Sequence, residues 1–154
     1  MRMDKLTHSL QAALGEAQSL AIGRDHPFIE PLHLLKAMLD PAGSASRALL
    51  LAAGAAVEPL QAAVDAALGA MATVSGSEDI HVSQETQRLL NRADKLSQQA
   101  GDTFLSTDAV LLAMLESKST ASLLSEAGVT AQALERAIES ARGGEAVQLS
   151  LIHI

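Results

Sequence analysis

The chain has 154 residues, a net charge of −7 and no cysteine. A globule of this length buries about 70% of the surface its unfolded chain exposes, so a core can form without metal or disulfide; thiol catalysis, cysteine-rich zinc sites and disulfide frameworks are excluded. The negative balance leaves no basic surface for a phosphate backbone, and Phe28 and Phe104 are the only Phe, Tyr or Trp on which a base could stack, so nucleic acid is not an expected partner.

Alanine and leucine dominate, with few β-branched residues, which favours helix throughout. No apolar run reaches the roughly 18 residues of a membrane span. The opening "MRMDKLTHSL" lacks the apolar stretch of a signal peptide. These features predict a cytoplasmic protein with no membrane partner.

In chain order, the first predicted helix is capped by Thr7 and buries Leu10, Ala13, Leu14, Ala17 and Ile22 at helical spacing. The link "GRDHPFIE" follows, with Gly23 suited to a left-handed helix end. A second helix opens on Pro31, whose missing N–H suits the first position. A third helix ends at Gly54, and a fourth carries Leu60, Ala63, Val64 and Ala67 on one face.

The polar stretch from Thr73 to Val82 reads as a linker, after which the pattern starts again. Ser83 caps a helix burying Leu89, Leu90, Ala93 and Leu96, and "GDTFLS" is the second link, with Gly101 at its start. Ser106 is the expected cap of a helix opening on Thr107, the next helix ends at Gly128, and Thr130 caps the last, which carries Leu134, Ala137, Ile138 and Ala141.

Shifting the chain by 76 positions aligns 17–40 with 93–116 without a gap. It matches Ala17 with Ala93, Leu20 with Leu96, Phe28 with Phe104, Leu35 with Leu111, Ala37 with Ala113, Met38 with Met114 and Leu39 with Leu115. "LLLAAG" and "LLSEAG" then match at an offset of 74, so the loop after Asp40 is two residues longer in the first copy. The chain is read as an all-α fold of two pseudo-symmetric four-helix repeats packed as one globule. The repeats occupy residues 1–72 and 83–147, with a linker at 73–82 and a tail at 148–154. Phe28, Phe104, Leu35, Leu111, Met38 and Met114 are expected in the shared core.

Catalytic motifs are missing. There is no G-x-x-x-x-G-K-[ST] phosphate loop, no G-x-G-x-x-G, no H-E-x-x-H and no G-x-S-x-G elbow. Glu30 and His33 have the E-x-x-H spacing of di-iron bundles. Such sites need further carboxylates on facing helices, and the second copy offers Ser106 and Ala109 instead. Both are therefore read as surface residues of a short helix. His26 and His33 are separated by prolines and do not share a continuous helix. No enzyme, metal or cofactor is expected.

Two repeats, each with an amphipathic helix, an aromatic link and then "EPLHLLKAMLD" or "STDAVLLAMLES", resemble the Clp N-terminal repeat domain. The opening "MRMDKLT", the stretch "EAQSLAIGRDHPFIEPLHLL" and the ending "AIESARGGE" carry the likeness to its bacterial disaggregase members, over residues 1–147. The resemblance implies a mobile recruiting module at the front of an ATP-driven homohexameric chaperone that cooperates with the DnaK system. Such a module binds unfolded or aggregated client protein and hydrolyses nothing. ATP and magnesium would belong to ATPase modules absent from this chain, and the isolated module would be a monomer. An alternative within the family is docking of adaptor proteins that serve an unfoldase and its protease. The apolar ending "LSLIHI" departs from the family's polar linker and is expected to be a vector-derived tail.

The resemblance places client contact at Thr7, Asp102 and Asp108, beside an apolar groove near Leu89 and Leu90. Structural roles compete at each. Thr7 is a helix cap, Asp108 complements a helix N-terminus, and Asp102 can bond nearby backbone N–H groups. Neighbouring leucines on a helix point about 100° apart, so one of the pair is expected in the core. Arg92 and Ala109 depart from the family's more apolar pattern, which implies a shallower or more selective groove.

Overall fold

The computed structural model describes residues 3–40, 44–75 and 79–143. The longer loop after Asp40 and the tail at 148–154 fall largely or wholly outside them. A 3-10 turn, Met3–Lys5, leads into α1 (His8–Gly23), β1 (Phe28–Ile29), α2 (Pro31–Leu39), α3 (Ala45–Ala52) and α4 (Val57–Gly69). The second series is β2 (His81–Val82), α5 (Gln84–Gln99), α6 (Thr107–Met114), α7 (Lys118–Glu126) and α8 (Ala131–Arg142).

Local sequence explains most helix ends. The Thr7 hydroxyl accepts the Leu10 N–H at 3.3 Å, Ser83 accepts Thr86 N–H at 3.1 Å, and Thr130 accepts Ala133 N–H at 3.1 Å. Each satisfies a donor that a helix start leaves unpaired. Gly54 and Gly128 take the left-handed conformation just past α3 and α7, at φ 91° and 93°. Gly101 does the same after α5, but Gly23 stays within α1. In the first link the left-handed residue is Asp25, at φ 57°, a side chain that tolerates this region through local polar bonding.

The two halves interlock. β1 and β2 are parallel, with Phe28 opposite His81 and Ile29 opposite Val82. Leu6 forms a parallel bridge to Leu105. Val82 lies 76 positions after Leu6, and Leu105 lies 76 after Ile29. The segment leading into each half thus pairs with the link of the other half. Thr7 N–H donates to the Leu105 carbonyl at 2.9 Å and Leu105 N–H to Lys5 at 2.8 Å; Ser83 N–H donates to Ile29 at 3.1 Å. Helices cross over as well, α3 packing on α8 and α4 on α7. Between the halves Ala56 N–H donates to the Ala127 carbonyl at 3.0 Å. The linker is therefore not wholly irregular, since it ends in β2.

Leu35, Leu111, Met38 and Met114 are buried as expected, but the aromatics are not. Phe28 is 46% exposed and Phe104 half-buried. Alternation along an extended chain is the reason: successive side chains leave opposite faces. Ile29 and Leu105 take the inward positions, at 7% and 1% exposure, and so turn the preceding phenylalanines out.

Candidate functional site

The second link meets the end of α8 at a cluster of charge. Arg142, the last residue of α8, donates from Nη1 to both Asp102 carboxylate oxygens at 3.1 Å. Its Nε donates to Asp108 Oδ2 at 2.9 Å and its Nη2 to Ser106 Oγ at 3.3 Å. The Asp102 side chain is 1% exposed, Arg142 14% and Asp108 19%. A planar guanidinium is suited to such paired recognition of carboxylates. Asp108 is also the acidic residue in the first turn of α6. Ser106 holds the cap position of α6 without capping it through its side chain; its hydroxyl serves Arg142 instead.

Thr7 adjoins this cluster through its bond to Leu105, and it is buried at 9% exposure. The structure thus brings Thr7, Asp102 and Asp108 around one link. Leu89 and Leu90 behave differently from the expectation that one would stay outside: both are buried, at 3% and 7%. The inward residues of α5 are Thr86, Leu89, Leu90, Ala93 and Ser97, a stripe broad enough to hold adjacent leucines on its two flanks. Both offer little surface, though the edge of Leu89 lines a cleft.

That cleft, about 330 Å³, lies between α5 and the α6–α7 turn and is rimmed by Glu85, Arg88, Arg92, Glu116 and Lys118. Arg92 bonds Glu116 at 3.1 and 3.2 Å across it, and Ala109 is buried at 5%. Its counterpart in the first half, about 260 Å³, is lined by Ala12, Ala13, Glu16, Ala37 and Met38, with Thr107 reaching in from the second half. Ala12, Ala13 and Glu16 stand 76 positions before Arg88, Leu89 and Arg92. Duplication produced two equivalent clefts, one ringed by charge and one lined by small residues, with Glu16, Ser9, Ser44 and Ser46 among them.

Position 26 is equivalent to 102, and in the first link it holds an imidazole. His26 Nδ1 lies 2.7 Å from His33 Nε2, and both rings are buried, at 2% and 0% exposure. His33 is thus not on the surface as its E-x-x-H spacing suggested. Its Nδ1 accepts the Glu30 N–H at 2.8 Å, so helix capping accounts for the spacing. Burial, then the neighbouring His26 and Arg24, depress the His33 pKa to about 4. Among the described residues no group of three His, Asp or Glu side chains could hold a metal ion. No single described helix is long and apolar enough to cross a membrane.

Arg142 is the site residue that sequence reasoning missed. Its only local sign is a basic residue in the last turn of α8, and its partners lie 34 to 40 positions away.

Comparison with known proteins places this geometry. Residues 5–127 match the family described as the Clp repeat (R) N-terminal domain. The chaperone protein ClpB of Pseudomonas putida is 44% identical over 149 residues, which cover 96% of this chain and 17% of that protein. The chain therefore spans about one sixth of the length of its curated relatives (17%). The crystal structure of the Hsp104 N-terminal domain from Candida albicans superposes with a TM-score of 0.85 at 22% identity, covering 97% of this chain and 99% of that one. A ClpV N-domain solved in complex with a VipB peptide matches with a TM-score of 0.71 at 27% identity, covering 88% and 86%. Interlocked repeats, paired clefts and these likenesses agree: the chain belongs to the Clp repeat N-terminal domain family, as an N-terminal domain of the type found in ClpB, Hsp104 and ClpV chaperones.

Proposed function

We propose that this domain recruits unfolded or aggregated polypeptide for an ATP-driven disaggregating chaperone. The motor lies outside this chain, and with it ATP, magnesium, assembly into a homohexamer and cooperation with the DnaK system. The domain hydrolyses nothing; it holds the client. The observation that carries the reading is the ClpV N-domain, 27% identical, solved with a peptide bound. The same scaffold here offers two open clefts, and Thr107 joins the first of them to the region of Thr7, Asp102 and Asp108.

Client recognition must tolerate sequence, since clients share apolarity and little else. Small side chains in the first cleft (Ala12, Ala13 and Ala37) suit it, because they leave room for varied aliphatic groups. Single-site affinity is low, and multiple copies on one assembly raise it.

Titrating the labelled domain with a permanently unfolded protein, followed by amide NMR, tests the proposal. Shifts should gather around Thr7, Leu89, Leu90, Asp102, Asp108 and the two clefts. Shifts confined to another face would move the site. Binding of a folded adaptor with none of unfolded chain would assign adaptor docking instead.

A further inference from the structure

We propose that β2 is an open strand edge that takes an extended client segment by main-chain pairing at Val82, with Gln87 as the side chain that clamps it. The inference rests on the client-recruiting reading above and adds a contact outside the clefts and the second link. In a strand the bonding groups of successive residues point to opposite sides. Ser83 N–H turns toward β1 and donates to the Ile29 carbonyl, so the N–H and C=O of Val82 turn away from it. Among the described residues neither group has a hydrogen-bond partner, and Val82 is exposed.

Internal symmetry shows what such a position accepts. Leu6, the counterpart of Val82, has both groups closed. Its N–H donates to the Met3 carbonyl at 3.2 Å, and its carbonyl accepts Gln11 Nε2 at 3.0 Å. Gln11 Nε2 also reaches the Met3 carbonyl, at 3.0 Å, so one carboxamide ties the strand to the backbone lying over it. The second half keeps the carboxamide, but no described segment covers Val82. Gln87 stands 76 positions after Gln11, is exposed, and turns along α5 to Asn91 at 3.5 Å. Asp79, the counterpart of Met3, makes no bond to Val82. A peptide carbonyl from another chain fits where that of Met3 lies in the first half.

The edge is preformed. The Ile29 carbonyl accepts Ser83 N–H at 3.1 Å and Thr86 Oγ1 at 2.7 Å, which fixes β2 to the first link and leaves little ordering to be done on binding. Its surroundings are apolar. Six large apolar side chains are exposed among the described residues, and four of them, Ile22, Phe28, Val74 and Val82, lie at the first link or on segments bonded to it. Leu6, at the second link, is buried instead. Main-chain pairing reads no particular side chain, so such an edge has the tolerance that recruitment of varied clients needs.

The test follows amide NMR of the intact, isotope-labelled domain with a soluble unfolded peptide carrying a central valine–threonine–valine stretch. Its control is the same peptide N-methylated through that stretch, which keeps the side chains and removes the main-chain donors. The parent peptide should shift the Val82 amide and the Gln87 side-chain amide and slow hydrogen exchange at Val82, and the methylated one should not. Q87A should weaken binding at β2 about threefold, the worth of one neutral hydrogen bond. V82P removes only the outward N–H, which a strand edge tolerates, and should abolish the β2 response while the second link still responds. Should V82P fold poorly, Q87A and the methylated peptide decide. A response at Thr7 and Asp108 with Val82 unmoved overturns strand addition and leaves client recruitment standing. Equal shifts at Val82 from both peptides also overturn it. A Val82 signal that moves on dilution without peptide assigns the edge to a second copy of the chain, and overturns it too. A peptide that leaves every amide unmoved removes client recruitment and the edge with it.

Discussion

His33 presents its Nδ1 to the Glu30 N–H and its Nε2 to His26, within the buried joint between α1 and α2. As a neutral ring it satisfies both neighbours, accepting at one nitrogen and donating at the other. A proton added at Nδ1 would confront the Glu30 N–H with a second donor, and the charge would be enclosed. The folded-state pKa, about 4, therefore lies below the ordinary 6.5 of an unfolded chain. Between these values the unfolded form binds more protons, so stability is complete above 6.5 and is lost as pH falls toward 4. At a slope of about 1.4 kcal/mol per pH unit, the domain should lose about 2 kcal/mol between pH 7 and pH 5. Urea unfolding at the two values measures this. H33N, which keeps an acceptor without a titrating ring, should flatten the dependence, and an equally steep slope in that variant would refute the assignment. The contact between His26 and His33 was not legible in the sequence. Prolines separate the two, and only the turn at Asp25 brings the first ring back over α2.

At the level of elements, caps divide into readable and unreadable ones by distance along the chain. Thr7, Ser83 and Thr130 bond three residues ahead, and so residue type and a following helical pattern identify them. The start of α7 is closed from afar. Glu85, on α5, accepts Ser117 Oγ at 2.7 Å, Ser119 N–H at 2.8 Å and Ser119 Oγ at 2.7 Å. Burial alone would raise its pKa, but the Ser119 and Ser117 bonds and the Lys118 charge outweigh that and hold it below the usual carboxylate value. Its contribution is present above the ordinary glutamate pKa and lost as pH falls through the lowered one. E85A should cost about 2 kcal/mol in chemical denaturation, and E85Q less, because neutral acceptors form weaker bonds. Equal stability of E85A and the parent would show that water replaces the carboxylate. Ser106 illustrates the converse. It has the residue type and position of a cap, yet a cation 36 positions away engages its hydroxyl.

For the molecule as a whole, the offset of 76 positions revealed two equivalent halves but not how they meet. Side-by-side and interlocked repeats share the same internal likeness. Only the structure shows Leu6 on the second link and Val82 on the first. Neither half closes its own link, and each lends a helix face to the other. Peptides covering residues 3–72 and 83–143 should therefore be largely unfolded alone and regain helix when mixed, as followed by circular dichroism. A cooperative thermal transition in either peptide by itself would contradict this. The full chain should unfold in one step, with hydrogen exchange slowest in α2 and α6, which carry Leu35 and Leu111 at the centre of the core.

Crossed pairing of this kind could also be satisfied by two unlinked copies of a single repeat, associating as an ordinary symmetric dimer. Joining them in one polypeptide frees the partners from having to be identical. A self-paired repeat would have to place the same residue at both joints, so an aspartate for one would be an aspartate for the other. Tandem fusion lifts that constraint, and the chain uses the freedom: one joint is closed by histidines and leucines, the other by an arginine between two acids.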